Sequence, residues 1–430
     1  MNRHIADNLE NFLREIQAKS RHCPKLFDIF ETCYRDALEK AVTEAEDNTA
    51  YVVTGDIPAM WLRDSAAQMR PYLFPAGNSQ ALQEMIARVV RRQFFYIGID
   101  PYANAFNPSP NGACWEPKDL AANPWLWERK YELDSLCYPV QLAYLLWKNT
   151  GHISQFDEIF QASAEKILSV FRTEQYHEEK SDYRFVRTGT YHTETLSRGG
   201  KGSLTKPGIG LIWSGFRPSD DACTFGYLIP SNMFAAVVLR YLEEIERDIF
   251  HNAALAGLAG QIREEVENGI ETYAKTLTKE FGMIYAYEVD GYGMFCLMDD
   301  ANVPSLLSMD YLGYRKDRQT AENTRRFILS EANPFYYKGS AGAGIGSPHT
   351  RYGHIWHIAM AMQGLTADSP EEKRKILEQM AATTAGKNVM HESFSCENAS
   401  VYTREWFSWA NAMYAELFLD YLGYRVQITE

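Results

Sequence analysis

Apolar residues recur along most of the chain at the three- to four-residue interval of an amphipathic helix. Between residues 26 and 42, Phe27, Phe30, Tyr34, Leu38 and Ala41 fall on one face. Leu136, Val140, Tyr144 and Trp147 repeat the interval over 136–147, and Trp406, Trp409, Met413, Leu417 and Tyr421 do so near the end. Similar patterns occupy 79–97, 154–172, 231–247, 254–279, 316–330, 350–364 and 370–384. About ten to thirteen helices are predicted. Strand signals are few: the run Ala50–Val53, and the alternating Met283–Val289 followed by the turn-like DGYG. No strand–helix–strand alternation appears, which argues against a doubly wound sheet.

Nothing along the chain reads as a linker. The Gly/Pro-rich segments 107–118, 199–210 and 339–348 are short enough to be loops within one body. The expectation is one domain, residues 1–430, that is mostly helical. A dozen helices joined by short connections suit stacked hairpins, and one closed arrangement of these is an (α/α)6 barrel.

Composition narrows the function classes. The 430 residues are 46% apolar and 23% charged, as in ordinary globular proteins, and 13% are aromatic, a surplus suited to stacking against flat ligand faces. The formal net charge is -13 with no basic stripe, which disfavours nucleic acid as a partner. No apolar run of about 18 residues suggests a membrane span. The N-terminal MNRHIADNLENFLREIQAKS lacks the apolar core of a secretory signal. Seven scattered cysteines without a CxxC read as reduced thiols, so a cytoplasmic location is expected.

Four stretches concentrate polar chemistry. In TGDIPAMWLRDS, a turn precedes Trp61, Arg63 and Asp64. The residues suit either a helix start with an ion pair or a sugar clamp, in which Asp56, Arg63 and Asp64 bond hydroxyls and Trp61 packs on the ring. WLWERKYELDSLCYP crowds Glu128, Arg129, Glu132 and Asp134 before a helix that Asp134 could cap. In GFRPSDDACTFGYLIPSNMF, Asp220 and Asp221 sit on a turn between aromatics, ahead of a helix opened by Pro230 and Ser231. Adjacent turn residues point apart, so one of the two acids reaches a common centre and the other braces the loop. Glu392, in NVMHESFS, lies between apolar neighbours and becomes a candidate partner for Asp220. Two carboxyl groups with separated proton affinities are what glycoside hydrolysis requires.

Competing motifs are weak. GSAGAGIGS (339–347) lacks the Gly-Lys-Ser/Thr ending of a phosphate loop and reads as a flexible loop near His349. His349, His354 and His357 come without an HExxH and read as packing or hydrogen-bonding residues rather than metal ligands. No Gly-x-Ser-x-Gly supports a serine nucleophile.

Long motifs in fixed order then give a specific resemblance. YVVTGDIPAMWLRDSAAQMRPYL, DPYANAFN, WERKYELDSLCYPVQLAYLLW, FRPSDDACTFGYLIPSNMF, MDDANVPSLL, NVMHESF and REWFSWANAMY resemble glycoside hydrolase family 125, bacterial exo-α-1,6-mannosidases, from about residue 25 to the end. The resemblance implies an (α/α)6 barrel that removes terminal α-1,6-linked mannose with inversion, without metal or cofactor. It implies Asp220 as general acid and Glu392 as general base. Asp56, Arg63 and Asp64 match the family's loop motif and His349 matches a histidine after the glycine-rich loop, while Asp221 is left to brace the loop. The implied partners are α-1,6-mannosides or mannose-containing glycan fragments. The segment 175–210 is less family-like. Partial desolvation among aromatics is expected to favour the neutral form of Asp220. Inversion calls for carboxyl groups roughly 6.5–9.5 Å apart. From the residues alone, a glucoamylase-type α-glucosidase and a non-catalytic carbohydrate-binding protein stay open.

Overall fold

The computed structural model describes residues 3–117, 119, 123–189, 191–315 and 317–428. The last residue of the 107–118 segment and the first of the 316–330 pattern lie outside them.

Beside a first helix, α1 (Arg3–Lys19), and several short helical turns, twelve helical elements build two rings. They are α2 (Pro24–Asp36), α3 (Leu62–Met69), α4 (Gln80–Ile99), α5 (Leu133–Thr150), α6 (Glu158–Glu174), α7 (Ile229–Asp248), α8 (Ala253–Tyr273), α9 (Met309–Leu312), α10 (Arg318–Ile328), α11 (His357–Leu365), α12 (Pro370–Ala382) and α13 (Ser408–Tyr421). The odd members from α3 to α13 form an inner ring. Contacts run α3 to α5, α5 to α7 and α7 to α9, and α13 packs on both α11 and α3. The 3-10 turn Leu306–Ser308, continuous with α9, touches α11 and closes the circle. The even members lie outside, where α4 packs on α6, α6 on α8 and α12 on α2. This is an (α/α)6 barrel.

The two rings begin differently. Five of the six outer helices carry side-chain caps, α2 being the exception: Ser79, Asp157, Asn252, Asp317 and Ser369 accept from the backbone N–H groups of Leu82, Phe160, Leu255, Thr320 and Glu372. Five inner helices start after Trp61, Glu132, Leu228, Trp356 and Phe407, none of which makes a side-chain cap. Asp134 therefore does not cap α5. It sits in the first turn and accepts from Arg63 instead. Pro230 falls in the first turn of α7, where its missing N–H costs nothing.

Burial follows the rings. Outer α10 buries Thr320, Asn323, Thr324, Phe327 and Ile328, one stripe at helical spacing. Inner α13 buries every residue from Ser408 to Leu419. Short strands lead into the inner helices: Met60–Trp61 before α3 and His354–Trp356 before α11. Two predicted helices are accordingly shorter than their patterns. α11 begins only at His357, and the 254–279 pattern passes at Lys275 into a strand paired with Gly282–Tyr285. The glycine-rich segment is a hairpin rather than a flexible loop, with Tyr336–Lys338 antiparallel to Ala343–Ile345. Its Gly346 is required by packing, because a Cβ there would stand 2.0 Å from the carbonyl oxygen of His354. No described helix is long and apolar enough to cross a membrane.

Candidate active site

The uncapped beginnings of α3, α11 and α13 converge. Trp61, Arg63 and Asp64, then Trp356, then Phe407 and Trp409 line one small cavity of about 50 Å³, together with Asp220, Asn302, His349, Glu392 and Arg404. Helix N-termini carry partial positive charge, and that helps to keep a cluster of carboxylates here. The TGD turn is tied to α13 by Ser408 N donating to Thr54 O and Asp56 N donating to Trp406 O. Gly55 permits this approach. Its φ is +138°, and a Cβ would meet the Trp406 carbonyl oxygen at 2.3 Å.

Asp220 and Asp221 do diverge. Asp220 has a left-handed backbone (φ 68°) and lines the cavity. Asp221 is buried, gives its carbonyl to Arg217 N, and holds His349 Nδ1 at 3.1 Å. Around Asp220 stand Asn104, whose Nδ2 donates over 3.4 Å, and Arg63, 3.7 Å away. Lys130 Nζ donates to its backbone oxygen at 2.8 Å. This setting reverses the expected proton affinity. Burial pushes the carboxyl upward, but Lys130, a hydrogen bond with Glu132, Arg63 and His349 together outweigh it and hold Asp220 at about 2. Glu132, its partner, is shifted the opposite way. Burial drives it well above the carboxylate range, against the pull of Arg63. Aromatics are not the decisive neighbours of Asp220. Cations and a second acid are.

Glu392 is approached by Thr403, whose hydroxyl donates to Oε2 at 2.9 Å, and by Arg404, 3.7 Å from Oε1. Arg404 in turn donates through Nε and Nη2 to Asp56 Oδ1, at 2.8 and 2.6 Å. Asp56 is thus exposed on the rim and positions Arg404, while Arg63 and Asp64 are buried and line the cavity. Arg63 is the hub. Its Nη1 donates to Glu132 at 2.7 Å and Asp134 at 3.0 Å, and its Nε lies 3.6 Å from Asp64. Asp64 also accepts from the Thr54 hydroxyl.

His349 joins the two acids electrostatically. Burial pulls its pKa down, but Asp221, Glu392 and Asp220 raise it to about 9. Glu194, Asp221 and His349 bring three potential ligand atoms within 4.8 Å of one another. Cations already pair with the two carboxylates, since Lys130 and Arg187 hold Glu194 at 3.0 and 2.8 Å and His349 holds Asp221 at 3.1 Å. His354 bonds Ser393, and His357 bonds His391 and Thr383. Burial pushes the His357 pKa down to about 3.

Several cavity residues were not singled out from sequence. Asn302, Arg404, Phe407 and Trp409 lie inside motifs already quoted, MDDANVPSLL and REWFSWANAMY, and that is the signal that could have found them. Thr403 carries none.

Comparisons place this geometry among known proteins. A family model described as metal-independent alpha-mannosidase (GH125) matches residues 23–419. The Meiotically up-regulated gene 157 protein of Schizosaccharomyces pombe is 38% identical over 416 residues, spanning 92% of this chain and 82% of that one. A solved structure of a metal-independent alpha mannosidase from Streptococcus pneumoniae, in a non-productive complex with α-1,6-mannobiose, is 48% identical. It superposes with a TM-score of 0.95, covering 97% of this chain and 99% of that one. A bacterial glucoamylase complexed with acarbose, 13% identical with a TM-score of 0.53 over 86% of this chain and 49% of that one, shares the fold. The chain belongs to the GH125 family of metal-independent alpha-mannosidases and is a glycoside hydrolase.

Proposed function

We propose that this hydrolase removes single, non-reducing terminal mannose residues from α-1,6-linked mannosides with inversion of the anomeric centre. The observation that carries the reading is the convergence of Asp220 and Glu392, 172 positions apart in sequence, on one cavity walled by Trp61, Trp356, Phe407 and Trp409. The cavity is small, about 50 Å³, which supports removal of one residue at a time. The α-1,6 linkage is supported by the disaccharide bound to the 48% identical mannosidase.

In this mechanism Asp220 gives a proton to the glycosidic oxygen as the bond to C1 breaks. Glu392 accepts a proton from a water that attacks C1 from the opposite face, yielding β-mannose and the free alcohol. Glu132 and Asp220 hold one proton between them. The sugar excludes water and the proton moves to Asp220, the member of the pair that lines the cavity. Thr403 and Arg404 fix the orientation of the Glu392 carboxylate. Arg63 and Asp64 bond the sugar hydroxyls, and the tryptophans cover its C–H faces.

Incubation with α-1,6-, α-1,3- and α-1,2-mannobiose and an α-glucoside tests the substrate. Mannose released from the 1,6 isomer alone is expected. Equal release from the other linkages, or glucose release, would overturn the specificity.

A further inference from the structure

The motifs DPYANAFN and WERKYELDSLCYP meet in a small sheet. Ala105–Phe106 runs antiparallel to Leu126–Glu128, with Ala105 opposite Glu128. Asn104 and Lys130 flank the paired residues and so come together, Lys130 N donating to Asn104 Oδ1 at 3.1 Å. They are 0% and 2% exposed, and neither lines the sugar cavity. Both nevertheless reach Asp220.

A buried ammonium is costly unless its donors are used. Lys130 Nζ donates to the Asp220 backbone oxygen at 2.8 Å and to Glu194 Oε2 at 3.0 Å, and Glu128 Oε1 stands 3.7 Å away. The two carboxylates do not by themselves account for this lysine, because Arg187 already pairs with each of them at 2.8 Å. The Asp220 carbonyl is different: among the described residues it accepts from Lys130 alone.

Asp220 needs such an anchor. Its φ of 68° lies in the left-handed region, which residues other than glycine keep only where their surroundings hold them. The turn closes on itself, Asp220 N donating to Arg217 O at 2.9 Å and Arg217 N to Asp221 O at 2.8 Å. Its other tethers hold the neighbours of Asp220: Arg217 on Glu288, Ser219 on Asp300 and Asp221 on His349. Lys130 fixes the direction of the Asp220 carbonyl. Asn104 Nδ2, shared with Glu128 Oε2 at 3.0 Å, donates over 3.4 Å to Asp220 Oδ1. One pair of residues thus holds both the backbone and the carboxyl of Asp220.

We propose that Lys130 and Asn104 are positioning residues for proton donation, which hold the left-handed turn so that the Asp220 carboxyl meets the glycosidic oxygen. The inference rests on the reading of Asp220 as proton donor.

The test compares two substrates by kcat and KM. The leaving alcohol of α-1,6-mannobiose needs a proton, whereas the fluoride of α-mannosyl fluoride departs with little help from an acid. Lys130→Met keeps the apolar stem and removes the ammonium. It should lose about 10²-fold in kcat on mannobiose, the scale for a misplaced catalytic group, with KM little changed. Its loss on the fluoride should be about tenfold smaller. Asn104→Ala should lose about tenfold on mannobiose, the weight of one hydrogen bond to a charged group, and less on the fluoride. It carries the test if melting shows that Lys130→Met does not fold. Asp220→Asn, as reference, should show the largest difference between the substrates. Equal losses on both substrates in the folded variants, or a raised KM with kcat kept, would make Lys130 and Asn104 structural or sugar-binding residues and overturn the inference while Asp220 keeps its role. No difference between the substrates in Asp220→Asn would remove the proton-donor reading itself, and this inference with it.

Discussion

His349 Nδ1 lies 3.1 Å from Asp221 Oδ1, and this contact binds the Asp220–Asp221 loop to the segment after the glycine-rich hairpin. The charge of Asp221 helps to raise the His349 pKa to about 9, so the imidazole is cationic at neutral pH. Asp221→Asn keeps an acceptor and removes the charge. The His349 pKa should fall toward the ordinary value near 6.5, read by NMR titration of the ring. A group whose pKa is raised on folding stabilises the fold fully below its unfolded pKa, about 6.5, and loses that contribution as pH rises through about 9. The wild type should therefore lose more melting temperature between pH 6.5 and 9 than the variant does.

Asp220→Asn should lower turnover by about 10²–10⁴-fold, the usual contribution of proton donation. The fold should be kept. Asn is the right replacement because the backbone φ of 68° lies in the left-handed region that asparagine tolerates. Circular dichroism and melting check the fold beside the kinetics, and near-normal turnover would remove Asp220 from its role.

Thr403→Val removes the hydroxyl that donates to Glu392 Oε2. Glu392→Gln should be nearly inactive. The Thr403 variant should retain substrate KM and lose roughly tenfold in kcat, the weight of one hydrogen bond to a charged group. A rise in KM with kcat intact would instead assign Thr403 to sugar binding.

Arg63 is 2% exposed and shared among several carboxylates. Arg63→Ala leaves them buried without their cation, and a loss of about 3–5 kcal/mol is expected from denaturant unfolding. A loss below about 1 kcal/mol would mean that protons already neutralise the cluster.

How far the sequence could be read follows from where its information is local. Amphipathic outer helices such as α10 declare their stripe, and the (α/α)6 arrangement followed from that pattern with the resemblance. The inner helices begin without polar caps, so the short strands before α3 and α11 were hidden inside longer apolar runs. The hairpin at 336–345 was concealed by its glycines, which serve close packing against the His354 strand. Asp220, Arg63, Asp64, His349 and Glu392 were legible as cavity residues. The proton affinity of Asp220 was not, because it is set by Lys130, Glu132 and Arg63, between 88 and 157 positions away. Asp56 was legible as a polar residue, but its pairing with Arg404 depends on a contact across 348 positions.

The central claim is that Asp220 and Glu392 act on opposite faces of one sugar, and the anomer first released reports on it most directly. Proton NMR of α-1,6-mannobiose, recorded within seconds of adding enzyme and before mutarotation, should show β-mannose as the initial product. Initial α-mannose would mean retention, and would contradict the pairing of a proton donor at Asp220 with a water-activating base at Glu392.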